Sequence, residues 1–415
     1  MRPVRPPWYL SVVACLLAGC GEEFEPANSG PDGASCNGPG ALSDDFEDGE
    51  LNDAFRSSAF GTDMVIEEAD GTLVFSPTDS GGSGSFESRY AINLRGSSVV
   101  VEVPNPGASF KGRSISLSLV EGTTASILMA ASDDLQSPGT SKLRFEVTTE
   151  EGSTKDSAPF DPVAQRWWRL GEKDGVLSFA ASPDGAAWTT LGEVPAPAFV
   201  DASNLRLGMS DSAKVVPVGA VRFDNLNPQG GSFCGIDRLR ETFDQEPGQS
   251  WAKVESGKCA ITVAGGALAA TLPPSSGGEC SLKSRHGYDL RGRAITFAFG
   301  GLPAEAPGTS VSVSLTSGDS DHLTLEHRQG KLTATSLLGS ATSTGALALG
   351  SGPAWWRIRE SAGRVEFELS SDGESFQSVH SLLVDALPAR FAVSLRFYVN
   401  FAVPETKSVI VDGIN

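Results

Sequence analysis

Four side chains in the sequence have the types and the spacing to recognise a sugar. Trp167 and Arg169, and again Trp355 and Arg357, stand two residues apart in runs reading WWRLGEK and WWRIRES. On a strand each Trp shares a face with its Arg, so an indole can stack on a pyranose ring while the guanidinium bonds its hydroxyls. The same face can equally be covered by a neighbouring loop, with both side chains packed inside the fold. Trp168 shares the opposite face with Leu170, and Trp356 with Ile358, which reads as core. Groups for catalysis are sparse. The 415 residues include 4 histidines, His286, His322, His327 and His380. His322 and His327 are five apart, so on one strand they face opposite sides and cannot share a metal. Asp44, Asp45, Glu47 and Asp48 crowd one short segment, and Glu366 and Glu368 flank Phe367 and point outward; acids so placed ordinarily cap turns or stay solvated. No Gly-x-Ser-x-Gly elbow and no metalloprotease His pair occurs. The residues read as binding rather than catalysis, and the chain as a non-enzyme.

The cysteines place the protein. Arg2 and Arg5 precede an apolar run from Trp8 to Leu17, too short for a permanent span, which needs about twenty residues. The run ends in Leu17-Ala18-Gly19-Cys20 and resembles the lipobox of bacterial lipoproteins, which implies cleavage after residue 19 and lipid on Cys20. Cys15 then leaves with the signal peptide. The net charge of −19 becomes −21 once Arg2 and Arg5 are gone. That acidity argues against nucleic acid or anionic lipid as a partner, since either needs a basic face. Gly21 after the lipidated cysteine, by resemblance to the sorting rule of enteric bacteria, implies the outer membrane. Residues 20–40 are rich in Gly, Pro and acids and read as a tether. Cys36, Cys234, Cys259 and Cys280 remain, an even number in an oxidising compartment, which suggests two disulfides among three possible pairings. A zinc site lacks the Cys-x-x-Cys spacing.

Beyond the tether the chain repeats itself. Gly81 to Gly96 aligns without gaps to Gly277 to Gly292 with 8 of 16 positions identical, and Trp167 to Trp188 aligns to Trp355 to Phe376 with 9 of 22 identical. The offset falls from 196 to 188, so the second copy is about eight residues shorter. Domains at 41–228 and 235–415 follow, joined by a linker at 229–234. Each copy is built of short alternating runs, such as SVVVEV at 98–103 and TSVSVSL at 309–315, separated by Gly, Ser, Pro and Asp clusters. That alternation predicts strands with one buried face, and hence two all-β sandwiches.

The order of landmarks within each copy carries a resemblance. An opening Phe46 or Phe243 is followed by Gly71 or Gly266, then Leu94 or Leu290 before Arg-Gly, the Trp-Trp-Arg strand, a Ser-x-Asp-Gly turn, and a closing strand at 223–227 or 411–415. This succession resembles the concanavalin A-like lectin/glucanase jelly roll in the tandem form of bacterial surface lipoproteins. First and last strands of that fold are neighbours, which implies a Cys36–Cys234 bridge and leaves Cys259–Cys280. Those two positions match Met64 and Gly84 of the first copy. Glucanases of the superfamily carry Glu-x-Asp-x-x-Glu on one strand; no such motif is present. Laminin-G-like relatives bind calcium at rim loops, where Asp133, Asp134, Asp319 and Asp321 lie, but nothing fixes a ligand set. The Ser182-Pro-Asp-Gly185 and Ser370-Ser-Asp-Gly373 segments resemble a sialidase Asp-box with one residue missing, and read as tight hairpin turns with Asp-Gly at positive φ and Trp188 or Phe376 packed below. The resemblance implies a lipid-anchored envelope protein that binds a glycan or another envelope component. A scaffold without a small ligand and a degenerate glycosidase are the alternatives.

Overall fold

The computed structural model describes residues 37–414 apart from 61–63, 78–81, 105–112, 134–139, 212–219, 249, 275, 303–307, 340, 349–353, 385–386 and 400–405. The lipobox, Cys20, Cys36 and Asp134 therefore lie outside the described residues. Each copy forms two antiparallel sheets packed face to face, and the described residues hold no α-helix. This is the expected pair of jelly-roll sandwiches.

The front sheet of the first copy runs, in spatial order, Phe55–Phe60, Ser83–Ser88, Asn204–Asp211, Arg113–Glu121, Ala125–Asp133, Ser141–Thr149, Gly152–Pro159. Its back sheet runs Thr189–Pro195, Val176–Ser182, Trp167–Lys173, Ser98–Glu102, and continues through a Glu102–Asp224 bridge to Val221–Phe223, Thr72–Pro77 and Met64–Ala69. The second copy repeats both sheets strand for strand. Its front sheet runs Trp251–Gly257, Gly278–Ser284, Ala392–Val399, Thr309–Ser317, Asp321–Arg328, Lys331–Leu338, Ala341–Ala348. Its back sheet runs Gln377–Leu383, Arg364–Ser370, Ala354–Ser361, Ala294–Gly301, Lys407–Ile414, Ala267–Leu272, Ala260–Ala264.

Alternation in the sequence becomes alternation in burial. Along Thr309–Ser317, Val311, Val313 and Leu315 are buried while Ser310, Ser312 and Ser314 face outward. Each such apolar side chain stabilises by about 1.5–3 kcal/mol when fully buried, so a one-residue slip would forfeit the whole set. Trp168 and Trp356 are wholly buried, as their register with Leu170 and Ile358 requires.

The most strongly repeated segment joins the copies. Ser88-Arg89-Tyr90 and Ser284-Arg285-His286 end equivalent front-sheet strands. Arg89 holds Asp319 of the second copy in a bidentate pair at 2.6 and 2.8 Å, and Arg285 pairs with Glu121 of the first. The Ala91 N–H donates to the Arg285 carbonyl at 2.8 Å, and His286 Nδ1 lies 2.9 Å from the Ala91 carbonyl. The two arginines thus exchange partners as across an approximate two-fold axis. Burial holds the His286 imidazole below its ordinary pKa, so the ring stays neutral at this seam. Ser88 and Ser284 are buried and tie the seam to the sheets: each hydroxyl donates to the carbonyl of Tyr90 or His286 and accepts the Leu205 or Val393 N–H.

Candidate functional site

The tryptophan–arginine pairs lie on the outer faces of the back sheets, half-buried. The Trp167 ring lies against Gly185, where an added Cβ would sit 3.1 Å from it, and Trp355 lies in the same way against Gly373. Arg169 stacks on Trp188 at 4.5 Å and Arg357 on Phe376 at 3.6 Å. Arg357 also bonds Glu368 at 2.5 Å, while Arg359 reaches Glu366 and Glu368. All four candidate residues therefore have partners within their own copy. The outward carboxylates Glu366 and Glu368 are neutralised by these arginines.

The Ser-x-Asp-Gly segments differ from the expected hairpin turns. Each opens a loop of six residues, 183–188 or 371–376, and of the Asp-Gly pair the glycine alone is at positive φ, 73° at Gly185 and 78° at Gly373. Asp184 accepts the Ala186 and Ala187 N–H groups at 2.9 Å and the Ser182 hydroxyl at 2.9 Å. Asp372 does the same with Glu374, Ser375 and Ser370. Those bonds hold both carboxyls below the usual range, with backbone donors leading at Asp184 and the Ser370 hydroxyl at Asp372. The aromatic under the glycine is Trp167 or Trp355, not Trp188 or Phe376.

A concave surface opens instead on the front sheet of the first copy. A groove of about 610 Å³ is lined by Arg56, Phe60, Ser85, Glu87, Ser116 and Arg206, among others. Its floor follows from the register: Ser58, Ser85, Gly208 and Ser116 stand side by side on four adjacent strands. A Cβ on Gly208 would come within 2.9 Å of the Ser116 hydroxyl, so the glycine keeps the floor low. In the next row Glu87 sits between Arg56 and Arg206, bonded to both at 2.7 Å. Burial alone would raise the Glu87 pKa, but the two guanidinium groups outweigh it and hold the carboxyl below its ordinary value. Phe60 stands at the rim, 72% exposed. Guanidinium donors, hydroxyls and one open aromatic face are the groups that bind a polyhydroxylated ring.

On the front sheet of the second copy, Arg396 bonds Glu279 at 2.6 Å and lies over Tyr398 at 4.9 Å. Around it Ser310, Ser312, Ser314, Thr324, Thr333 and Thr335 carry hydroxyls outward. Sequence reading passes over both front faces, because Ser and Thr at alternate positions mark a strand without marking a site. Only the pairing of non-adjacent strands gathers Arg56, Glu87 and Arg206.

The remaining candidates separate. Cys259 and Cys280 form the expected disulfide, with Cα atoms 5.6 Å apart. Cys234 is disulfide-bonded. Its expected partner Cys36 is outside the described residues, though the neighbouring Asn37 accepts the Cys234 N–H at 3.0 Å. Asp319 is held by Arg89, and Asp321 accepts the Gly339 N–H at 2.7 Å. Among the described residues no group of three or more His, Cys, Asp or Glu is placed to hold a metal ion. Ser343 and His380 meet at 2.9 Å, a contact between distant strands that spacing could not reveal. No described carboxylate bonds the other ring nitrogen, which a hydrolytic triad requires.

No protein family and no curated protein matches the chain. Solved structures similar to part of it include a β-1,3-glucanase from Mycobacterium marinum, 13% identical with a TM-score of 0.35, covering 43% of this chain and 97% of the other. The exoplasmic/lumenal domain of VIP36, in a form bound to Ca²⁺ and Man3GlcNAc, is 9% identical with a TM-score of 0.33, covering 40% and 82%. A legume lectin-like domain from Entamoeba histolytica is 12% identical with a TM-score of 0.31, covering 39% and 88%. Each spans about one copy of the repeat. The two copies are jelly-roll sandwiches by their sheets, and that architecture does not fix an activity.

Proposed function

We propose that the protein is a non-catalytic glycan-binding protein of the bacterial cell envelope, held to the membrane by lipid on Cys20, with its ligand site on the front sheets. The groove over Ser58, Ser85, Gly208 and Ser116, flanked by Arg56, Arg206 and Phe60, is the observation that carries this reading. The absence of catalysis at the proposed site is supported by where the outward acids of the front sheets stand. Glu87 and Glu146 are four strands apart in one front sheet, and Glu279 and Glu326 three strands apart in the other. At about 4.8 Å per strand these separations are roughly 19 and 14 Å, beyond the about 5–9.5 Å of paired glycosidase carboxylates.

A polysaccharide array probed with the full chain, with and without calcium, tests the binding. Ser85→Trp would fill the groove floor and is expected to abolish retention with the melting temperature little changed. Trp167→Ala and Trp355→Ala are expected to lower the melting temperature and leave retention by the folded protein unaltered. Retention lost in the Trp variants and kept in Ser85→Trp would move the site to the back sheets. For the anchor, Cys20→Ser should release the protein from the membrane fraction of a bacterial host.

A further inference from the structure

The chain is strongly acidic, yet its two front faces are not. The strand registers assign the outward side chains of each sheet. On the first front sheet they include Arg56, Lys142, Arg144, Lys155 and Arg206 against Glu87 and Glu146, five basic groups to two acidic. On the second they include Lys283, Arg328, Lys331 and Arg396 against Glu279 and Glu326, four to two. Net charges of +3 and +2 thus sit on two faces of a chain whose total is −19. The back sheets show no such excess. On the second copy Arg357, Arg359 and Arg364 face outward against Glu366, Glu368 and Asp412, an even balance. The positive charge has been placed on the faces that carry the hydroxyl rows and the groove.

The first of these faces reaches the seam between the copies. Arg89 and Arg285, which cross the seam, each stand two residues after a charged position of a front face, Glu87 in one and Lys283 in the other. Asp319 feels the charge of Arg56 as well as its bond to Arg89, so the cationic row of the first copy lies close to the seam.

We infer that the ligand of the front faces is an acidic polysaccharide bearing carboxylates, a uronic acid polymer. This rests on the glycan-binding reading above and names its ligand class. Arg206 already presents two of its donors to the planar Glu87 carboxylate, leaving further N–H groups on both arginines for a second carboxylate at the groove. Serine and threonine hydroxyls across both faces serve the ring hydroxyls. The remainder of the molecule is acidic in sum and offers a polyanion no comparable positive face among the described residues, which favours the front faces.

Titrating the full chain with polygalacturonate, neutral dextran, dextran sulfate and single-stranded DNA tests the inference. Polygalacturonate should bind, dextran should not, and affinity should fall by about tenfold between low and moderately high salt as screening shortens the field. Lys283→Gln, Arg328→Gln and Lys331→Gln together replace three exposed side chains, and should weaken polygalacturonate binding about tenfold with an unchanged melting temperature. Equal binding of dextran and polygalacturonate without salt dependence would overturn the acidic class and leave glycan binding standing. Binding to dextran sulfate or DNA as tight as to polygalacturonate would overturn recognition of carboxylated sugar in favour of bare charge. Binding to no polysaccharide would overturn both readings.

Discussion

The two copies solve the same packing problems with different residues. Where the second copy staples its sheets with Cys259–Cys280, the first lays Met64 over Gly84, and a Cβ on that glycine would sit 2.9 Å from the methionine. At the far edge, Phe145 of the front sheet meets Phe179 of the back sheet, with Gly192 paired beside Phe179. In the second copy Ala334 stands at the matching place, and His380, paired beside Phe367, stacks on it over Gly345. A large residue on one sheet is exchanged for a large residue on the other. The repeat has kept the filled space rather than the side chains, as close packing demands. The first copy's version leaves an opening of about 180 Å³ lined by Phe145, Val147, Phe179 and Val194.

That exchange can be broken and then remade. Phe145→Ala is expected to lower the stability of the first copy by about 3–5 kcal/mol, the cost of an unfilled aromatic site. Adding Gly192→His transplants the second copy's solution and should recover about 1 kcal/mol or more, because the imidazole can stack on Phe179. Denaturant melts of both variants decide it. If Gly192→His worsens Phe145→Ala, the two edges are not exchangeable.

The disulfide staple comes next in size. Replacing Cys259 and Cys280 by Ser should destabilise the second copy by about 2–4 kcal/mol, mainly by freeing the unfolded chain. A reducing agent, which also opens the bridge at Cys234, should cost the parent protein at least that much but leave Met64 and Gly84 as they were. A melt of the second copy unmoved by both treatments would show that packing alone suffices there, as it does in the first copy.

Much of this comparison is legible in the sequence, for a physical reason. Alternating apolar residues and internal similarity are local signals, so the sandwiches and the duplication can be read from spacing, whereas the Cys259–Cys280 pair, one of three possible pairings, follows only from the resemblance to the jelly roll. The groove cannot, since Arg56, Glu87 and Arg206 become neighbours only through pairing of strands far apart in the chain. Trp167 and Trp355 suggest a ligand because aromatic residues bind sugars, but the loop that covers them starts sixteen residues later. The seam is hidden differently. Ser-Arg-Tyr and Ser-Arg-His are visibly repeated, yet nothing local says that repetition there serves contact between the copies.

At the seam the two arms are unequal, and the inequality is measurable. Glu121 is half-buried with Arg285, whereas Asp319 is 83% exposed where Arg89 holds it. Arg285→Ala should therefore cost about 1–2 kcal/mol and Arg89→Ala under about 1 kcal/mol, the shielded pair being less screened by water and salt. His286 adds a pH dependence of definite sign. Its folded pKa lies below the ordinary 6.5, so the unfolded chain binds the proton first. The stabilising contribution is complete above that value and is lost as pH falls below it. His286→Gln should flatten the melting profile between pH 7 and pH 5; a profile unchanged by the substitution would remove the histidine from the account.

The smallest expected effect has the opposite sign and belongs to the first copy alone. Glu68 has both carboxyl oxygens shielded from solvent, and its pKa is pushed up to about 7 by burial first and by Asp44 and Asp48 next. In the second copy Val263 takes its place, paired with Leu268 as Glu68 is with Leu73. A carboxyl whose folded pKa exceeds its unfolded value is easiest to keep in the fold while protonated. Its contribution is therefore greatest below the ordinary value of 4.5 and declines as pH rises toward 7. Glu68→Gln keeps the shape and removes the titration, so it should raise the melting temperature of the first copy by about 2 °C at pH 8 and leave it unchanged at pH 4. The second copy, with valine there, should show no such rise in the same scan. A gain equal at both pH values would mean that the glutamine packs better, and the charge of Glu68 would then have no part in the difference between the copies.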